Sequence, residues 1–176
     1  MRYLLSLILI FALSSTVFAT DYHGECAIAF KGSSTLHDFH GKAACQPFTV
    51  SRIDGVVDMS NLTVAIAGMD TDNSKRDKKM REMFDEKKYP VITASSGPVA
   101  LKDVRNKVSF RLKIRDIVKP VTATVTNFVE TDSRISADVA FTLSLAEYQL
   151  KPPSVLGMIK VDDKISVKAT IVLNTK

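Results

Sequence analysis

Lys107-Val108-Ser109-Phe110-Arg111-Leu112-Lys113-Ile114 alternates without a fault. Val108, Phe110, Leu112 and Ile114 take one side and Lys107, Ser109, Arg111 and Lys113 the other, the period of two that a half-buried strand requires. Residues 135–145 repeat the pattern with Ile135, Ala137, Val139, Phe141, Leu143 and Leu145. Residues 165–173 do so again with Ile165, Val167, Ala169, Ile171 and Leu173. Between them Val121, Ala123 and Val125 stand opposite a row of threonines within residues 121–129, and threonine favours strands. Such runs joined by short turns predict an antiparallel sheet with one dry face.

Working back toward the N-terminus, residues 22–31 place Cys26, Ile28 and Phe30 on one face. Residues 36–50 read as the return strand, with Gly41 a bulge or bend. Residues 53–59 and 62–68 read as a further pair turned at Ser60-Asn61, and residues 91–96 as a short strand turned by Gly97-Pro98. One stretch departs from all this: Met69 to Pro90, MDTDNSKRDKKMREMFDEKKYP, holds seven Lys/Arg and six Asp/Glu in twenty-two residues. Ser74 is placed to cap a helix, with Asp77 as the capping-box acid. Met80, Met83 and Phe84 form one apolar stripe on an otherwise solvated helix, and Tyr89-Pro90 predicts its end. A single short helix cannot cover so much apolar sheet, so the sheet must close on itself or fold over. The count is eight or nine strands; periodicity alone fits a barrel and a two-sheet sandwich alike.

The 176 residues fit one domain behind a leader. Residues 1–19 read as a secretory signal peptide: Arg2, an apolar run from Leu4 to Leu13, and Val17-Phe18-Ala19 before the cut. The expected mature domain is 20–176, periplasmic or secreted after cleavage near Ala19. Taking Arg2 from the formal charge of +5 leaves +4, on scattered rather than clustered cations. No basic stripe invites nucleic acid; transient contact with an anionic membrane surface is compatible with this charge. Cys26 and Cys45 are symmetric about the midpoint between Thr35 and Leu36, beside the turn Gly32-Ser33-Ser34-Thr35. A hairpin folded there brings the two sulfurs opposite each other, and an oxidising compartment favours their pairing. A redox-active pair or a metal site is the weaker alternative, since C-x-x-C spacing is missing.

Catalytic and metal chemistry find little to work with. His23, His37 and His40 cluster near the first hairpin, but positions 37 and 40 of one strand point to opposite faces, and a metal needs convergent ligands with support behind them. They read as turn or rim residues. No serine has G-x-S-x-G context and no glycine-rich loop precedes a helix to cradle phosphate. The expectation is a non-enzyme without cofactor or metal.

The wording of several stretches is more specific than their periodicity. Thr71-Asp72-Asn73, Arg76-Asp77, Met83-Phe84-Asp85 and Lys88-Tyr89-Pro90-Val91-Ile92 resemble the signature of the YceI-like family of bacterial lipid-binding β-barrels. That family more often has glycine where Asp72 stands. The Ser33-to-Gly41 phrase resembles its first turn, residues 112–121 its hairpin, and Ala146-Glu147-Tyr148-Gln149-Leu150 through Val155-Leu156-Gly157 its closing loop. The resemblance covers about residues 22–173. It implies a closed, lipocalin-like antiparallel barrel of about eight strands, with the helix crossing one end and a polyisoprenoid or similar lipid inside. The dry faces then supply the candidate lining: Phe110, Leu112, Ile114, Val125, Val139, Phe141, Leu143 and, from the helix, Phe84. The same residues would serve equally as a packed core. The expected partner is a long-chain lipid, held by a monomer or homodimer. A ligand-free periplasmic interaction or stress-response module is the alternative.

Overall fold

A computed structural model describes residues 19–152 and 160–175. Eleven strands make one antiparallel, strongly curled sheet with a single α-helix. In chain order the strands are β1 (Ala19–Ser33), β2 (Asp38–Ala44), β3 (Phe48–Ile53), β4 (Val56–Asp58), β5 (Leu62–Ala65), β6 (Val91–Ser95), β7 (Pro98–Ala100), β8 (Lys107–Ile114), β9 (Ile117–Glu130), β10 (Arg134–Ser144) and β11 (Lys164–Thr175). The hydrogen-bonded path runs β5-β6-β8-β9-β10-β11-β1-β3-β4-β7, and β2 pairs with the far half of β1. β6 and β7 follow each other in the chain but lie near opposite ends of this path, so the sheet curls back on itself. Between β2 and β5 there is contact without a continuous ladder: Cys45 bridges Val64, and the Gln46 N–H donates to the Thr63 carbonyl at 2.8 Å. The result is a curled half-barrel of eleven strands, in place of the expected closed barrel of about eight.

The extra strands have local causes. Pro47 has no N–H to offer a ladder, so residues 36–50 split into β2 and β3, which meet different halves of β1. Asp54 and Gly55 both adopt positive φ, 50° and 77°, the requirement of a tight hairpin turn. The hairpin is therefore β3–β4, and the expected pairing across Ser60-Asn61 does not form: β4 goes on to β7, β5 to β6. Gly41 is no bulge either, since the β1–β2 register is unbroken around it. It faces Phe30 across the strands, and a Cβ there would overlap the ring.

The long strands of the second half keep the expected alternation through β8, β10 and β11. In β9 it holds as far as Val125; then Thr126 and Asn127 are both exposed, Asn127 takes φ 52°, and the register against β10 shifts between Ser136 and Asp138. This bulge turns Phe128 inward and leaves Val129 exposed.

Helix α1 (Ser74–Phe84) is capped one residue earlier than expected, by Asn73, whose side chain accepts from the Arg76 N–H at 3.0 Å. Asp77 serves another purpose: its carboxylate accepts from the Thr71 N–H at 3.0 Å and the Thr71 hydroxyl at 2.5 Å, bracing the approach to the helix. Asp72, on that approach, has φ 55°, a conformation glycine adopts more readily. The helix ends five residues before Tyr89, where Asp85 goes left-handed at φ 54° and its N–H caps the last turn. Its buried Phe84 joins Ile66, Leu112, Ile114, Leu145, Tyr148 and Ile165 in one cluster. Ile114 ends β8 and Ile165 lies at the start of β11, so α1 covers that end of the sheet. The other end is packed more closely, by Tyr22, Val50, Val57, Leu101, Ile135 and Leu173.

Cys26 and Cys45 form a disulfide, Cα–Cα 5.1 Å. The β1–β2 register, Ala27 opposite Ala44, sets the two cysteines directly across from each other. Of the expected leader only Ala19 is among the described residues, opposite Ile53; the expected closing-loop residues 155–157 lie outside them.

Two outcomes follow for stability. Phe84→Ala should lower the unfolding free energy by about 3 kcal/mol, and Lys78→Ala, on the exposed side of α1, by less than about 0.5 kcal/mol, read as urea midpoints. Reducing the Cys26–Cys45 bridge, which spans 19 residues, should cost about 3 kcal/mol. Alkylation without reductant should add no mass.

Candidate functional site

Between the helix-covered end and the packed end the curled sheet encloses a cavity of about 570 Å³. That volume falls within the range of small-molecule sites. Inward residues of β8, β10 and β11 form one wall: Phe110 and Leu112, then Phe141 and Leu143, then Val167 and Ile171. Phe110 and Phe141 meet edge to face with centroids 5.5 Å apart. The wall continues onto β1 with Ile28, Phe30 and Cys26, next to β11, and Cys45 and Phe39 lie beside them. Met80, Met83 and Phe84 of α1 form the roof. Apart from two serines after β6, the polar lining collects where α1 begins and β1 turns into β2.

That grouping marks the mouth. Among the described lining residues three are exposed, His37, Asn73 and Lys75. All three belong to the β1–β2 turn or the first turn of α1. Arg76 ties the two lips together: its guanidinium lies 5.2 Å from the centre of the Phe39 ring, and donates to the Thr71 hydroxyl at 2.9 Å and carbonyl at 2.8 Å. His23 and His40 are exposed and lie off the cavity. Among the described residues no group of three or more His, Cys, Asp or Glu could hold a metal ion.

Seven of the eight residues picked from the sequence lie on this wall: Phe84, Phe110, Leu112, Ile114, Val139, Phe141 and Leu143. Val125 does not. It faces a separate cavity of about 60 Å³ nearer the packed end, beside Phe128 and Ile135. Ile28, Phe30, Val167 and Ile171 complete the wall, and the same alternation in residues 22–31 and 165–173 pointed to them. Phe39 gave no such signal, because only the register with β1 lays it over Gly32 at the wall.

The loop after β10 holds the helix-covered end in shape. Tyr148 is buried beneath α1, and its hydroxyl donates to the Leu112 carbonyl at 3.4 Å. Burial, helped by Glu147, pushes its phenol up to about 12. Asp163 accepts from the Ser144 hydroxyl at 2.6 Å and the Ala146 N–H at 2.7 Å. The Ser144 bond first, then the Ala146 bond, hold the carboxyl below the ordinary aspartate value of 3.8.

An antiparallel half-barrel wrapped round an apolar cavity, with its polar groups confined to one mouth, is the architecture of a binding shell for an apolar molecule. The match to the YceI-like domain over residues 12–173 makes the chain a member of that family. Among solved structures it is similar to a polyisoprenoid-binding domain from Saccharophagus degradans implicated in plant cell wall breakdown, at TM-score 0.67 and 15% identity, covering 88% of this chain and 98% of that one. It is also similar to Burkholderia cenocepacia BcnA, at TM-score 0.61 and 15% identity over 84% and 95%. The Campylobacter jejuni YceI protein matches at TM-score 0.53 and 19% identity over 71% and 74%. These identities support a shared fold. No curated protein matches the chain.

Asp163 gives the site a pH signature. Its folded carboxyl titrates below its unfolded one, so the stabilisation is fully present above the ordinary carboxylate range and is lost as pH falls through the lowered value. Asp163→Asn should therefore lower the urea midpoint at pH 7 and flatten its fall on acidification below about pH 4. Asp38, Asp70 and Asp138, also held low by hydrogen bonds, retain the remaining acid dependence.

Proposed function

We propose that the chain is an exported binding protein that holds a polyisoprenoid or similar long-chain lipid, tail inward, in the 570 Å³ cavity. The observation that carries this reading is the cavity's chemistry: hydrocarbon walls on every side, aromatic edges, and polar groups only near the mouth and after β6. A hydrocarbon tail gains about 0.8 kcal/mol for each CH₂ it removes from water. The polyisoprenoid-binding domain that shares the fold supports the same ligand class. A binding role fits better than a catalytic one, because the inward faces of β8, β10 and β11 line the cavity with apolar side chains. The disulfide supports an oxidising compartment, the periplasm or the medium, reached by removal of residues 1–19.

The test is native mass spectrometry of the protein purified from its own cell envelope. A lipid-sized adduct, recovered by solvent extraction, is expected. Leu143→Gln should keep a cooperative thermal transition while yielding less lipid, because a polar atom on a cavity wall deters an apolar guest without being sealed in a packed core. A clean apo mass together with a co-purifying protein would favour the ligand-free interaction module instead.

A further inference from the structure

The mouth itself is built to meet a surface. Leu36 is 67% exposed, the most exposed large apolar residue of the described chain. It sits at the tip of the β1–β2 turn, between Ser34 and His37, both of which line the cavity. The turn is held rigidly. The Ser34 hydroxyl donates to the His37 carbonyl at 2.8 Å and accepts from the His37 N–H at 3.3 Å. The Thr35 N–H donates to the Lys160 carbonyl at 3.0 Å, which braces the turn against the neighbouring loop.

Cations gather around this apolar tip. Lys75, Arg76 and Lys79 are on the helix lip, and the described lining includes no acidic residue. Lys160 and Lys151 flank the loop lip and are exposed. Of the acids nearby, Asp38 is paired with Lys31 at 2.6 Å, Asp70 and Asp72 with Lys42 at 3.2 and 3.5 Å, and Asp77 is buried against Thr71. Asp163 is bonded to Ser144. Asp162 stands exposed on the rim as the opposing charge. An apolar residue projecting from a rim of cations suits an anionic phospholipid surface, whose negative potential attracts Lys and Arg. Among the described residues no helix is long and apolar enough to cross a membrane, so this is contact from one side.

We infer that the cavity mouth docks on an anionic phospholipid bilayer, with Leu36 inserted and Lys75, Lys79 and Lys160 on the headgroups. The cavity then opens directly onto the membrane. This rests on the lipid-carrier reading only for its purpose; the docking is measurable without it.

The chain contains no tryptophan, so Leu36→Trp places a single reporter at the tip. In the naturally processed protein, its emission should shift to the blue with vesicles of phosphatidylcholine and phosphatidylglycerol, and be quenched by brominated acyl chains. Phosphatidylcholine alone should do neither. In co-sedimentation with the mixed vesicles, Leu36→Ser should weaken binding about tenfold or more. Lys75→Glu combined with Lys160→Glu should weaken it by more than about fivefold, and raised salt should mimic the loss. Leu36 is off the cavity wall, so Leu36→Ser should keep its extracted lipid. Lipid-loaded protein that neither binds these vesicles nor shifts its tryptophan emission would overturn the docking and leave the carrier reading intact. Protein that docks but never yields lipid would do the reverse.

Discussion

Most of the inward side chains owe their position to the ladder β8–β9–β10–β11–β1. Its registers pair Phe141 with Val167, Ala169 with Ile28 and Val167 with Phe30 without a slip. A shift of one residue anywhere in it would send a whole dry face outward. The single irregularity, at Asn127, is placed where the enclosed space changes from hollow to more closely packed. Above the bulge the inward side chains ring a cavity; below it Phe128 and Ile135 help fill the interior.

Why one half is hollow and the other packed is a matter of side-chain volume against circumference. At the packed end the short strands β3, β4 and β7 bring Val50, Val57 and Leu101 close to Tyr22 and Leu173. At the hollow end β1 carries Phe30 and Gly32, and β2 Phe39 and Gly41. Each ring lies over a glycine of the neighbouring strand, and both rings line the cavity.

The strands of the second half were legible because their alternation is long, eight to eleven residues, and interrupted at one bulge. The disulfide was legible because a hairpin's symmetry is written in its numbering. What escaped was short or hidden by tertiary context. β4 and β7 have three residues each, too few for a period to declare itself. The Asp54-Gly55 turn was in plain view, but the polar pair Ser60-Asn61 competed with it. Asp85 ended the helix by adopting a backbone conformation that nothing in its neighbours demands. Seven of the eight chosen residues line the cavity, six because they take the inward face of a strand and Phe84 because it takes the inward face of α1. Val125 was on the correct face and at the wrong height, and height along a barrel is invisible to a pattern of period two.

The partition beneath the cavity has its own meaning. Met59, Val108, Val139 and Ile171 line both the large cavity and the small one, and so form the partition between them. A linear guest entering at the helix end meets a floor. Each carbon it carries down to that depth is sheltered, and each further carbon is left trailing in water. Such a shell would grade a homologous series of guests by length rather than by polarity, with the side chains of the partition setting the last mark on the scale.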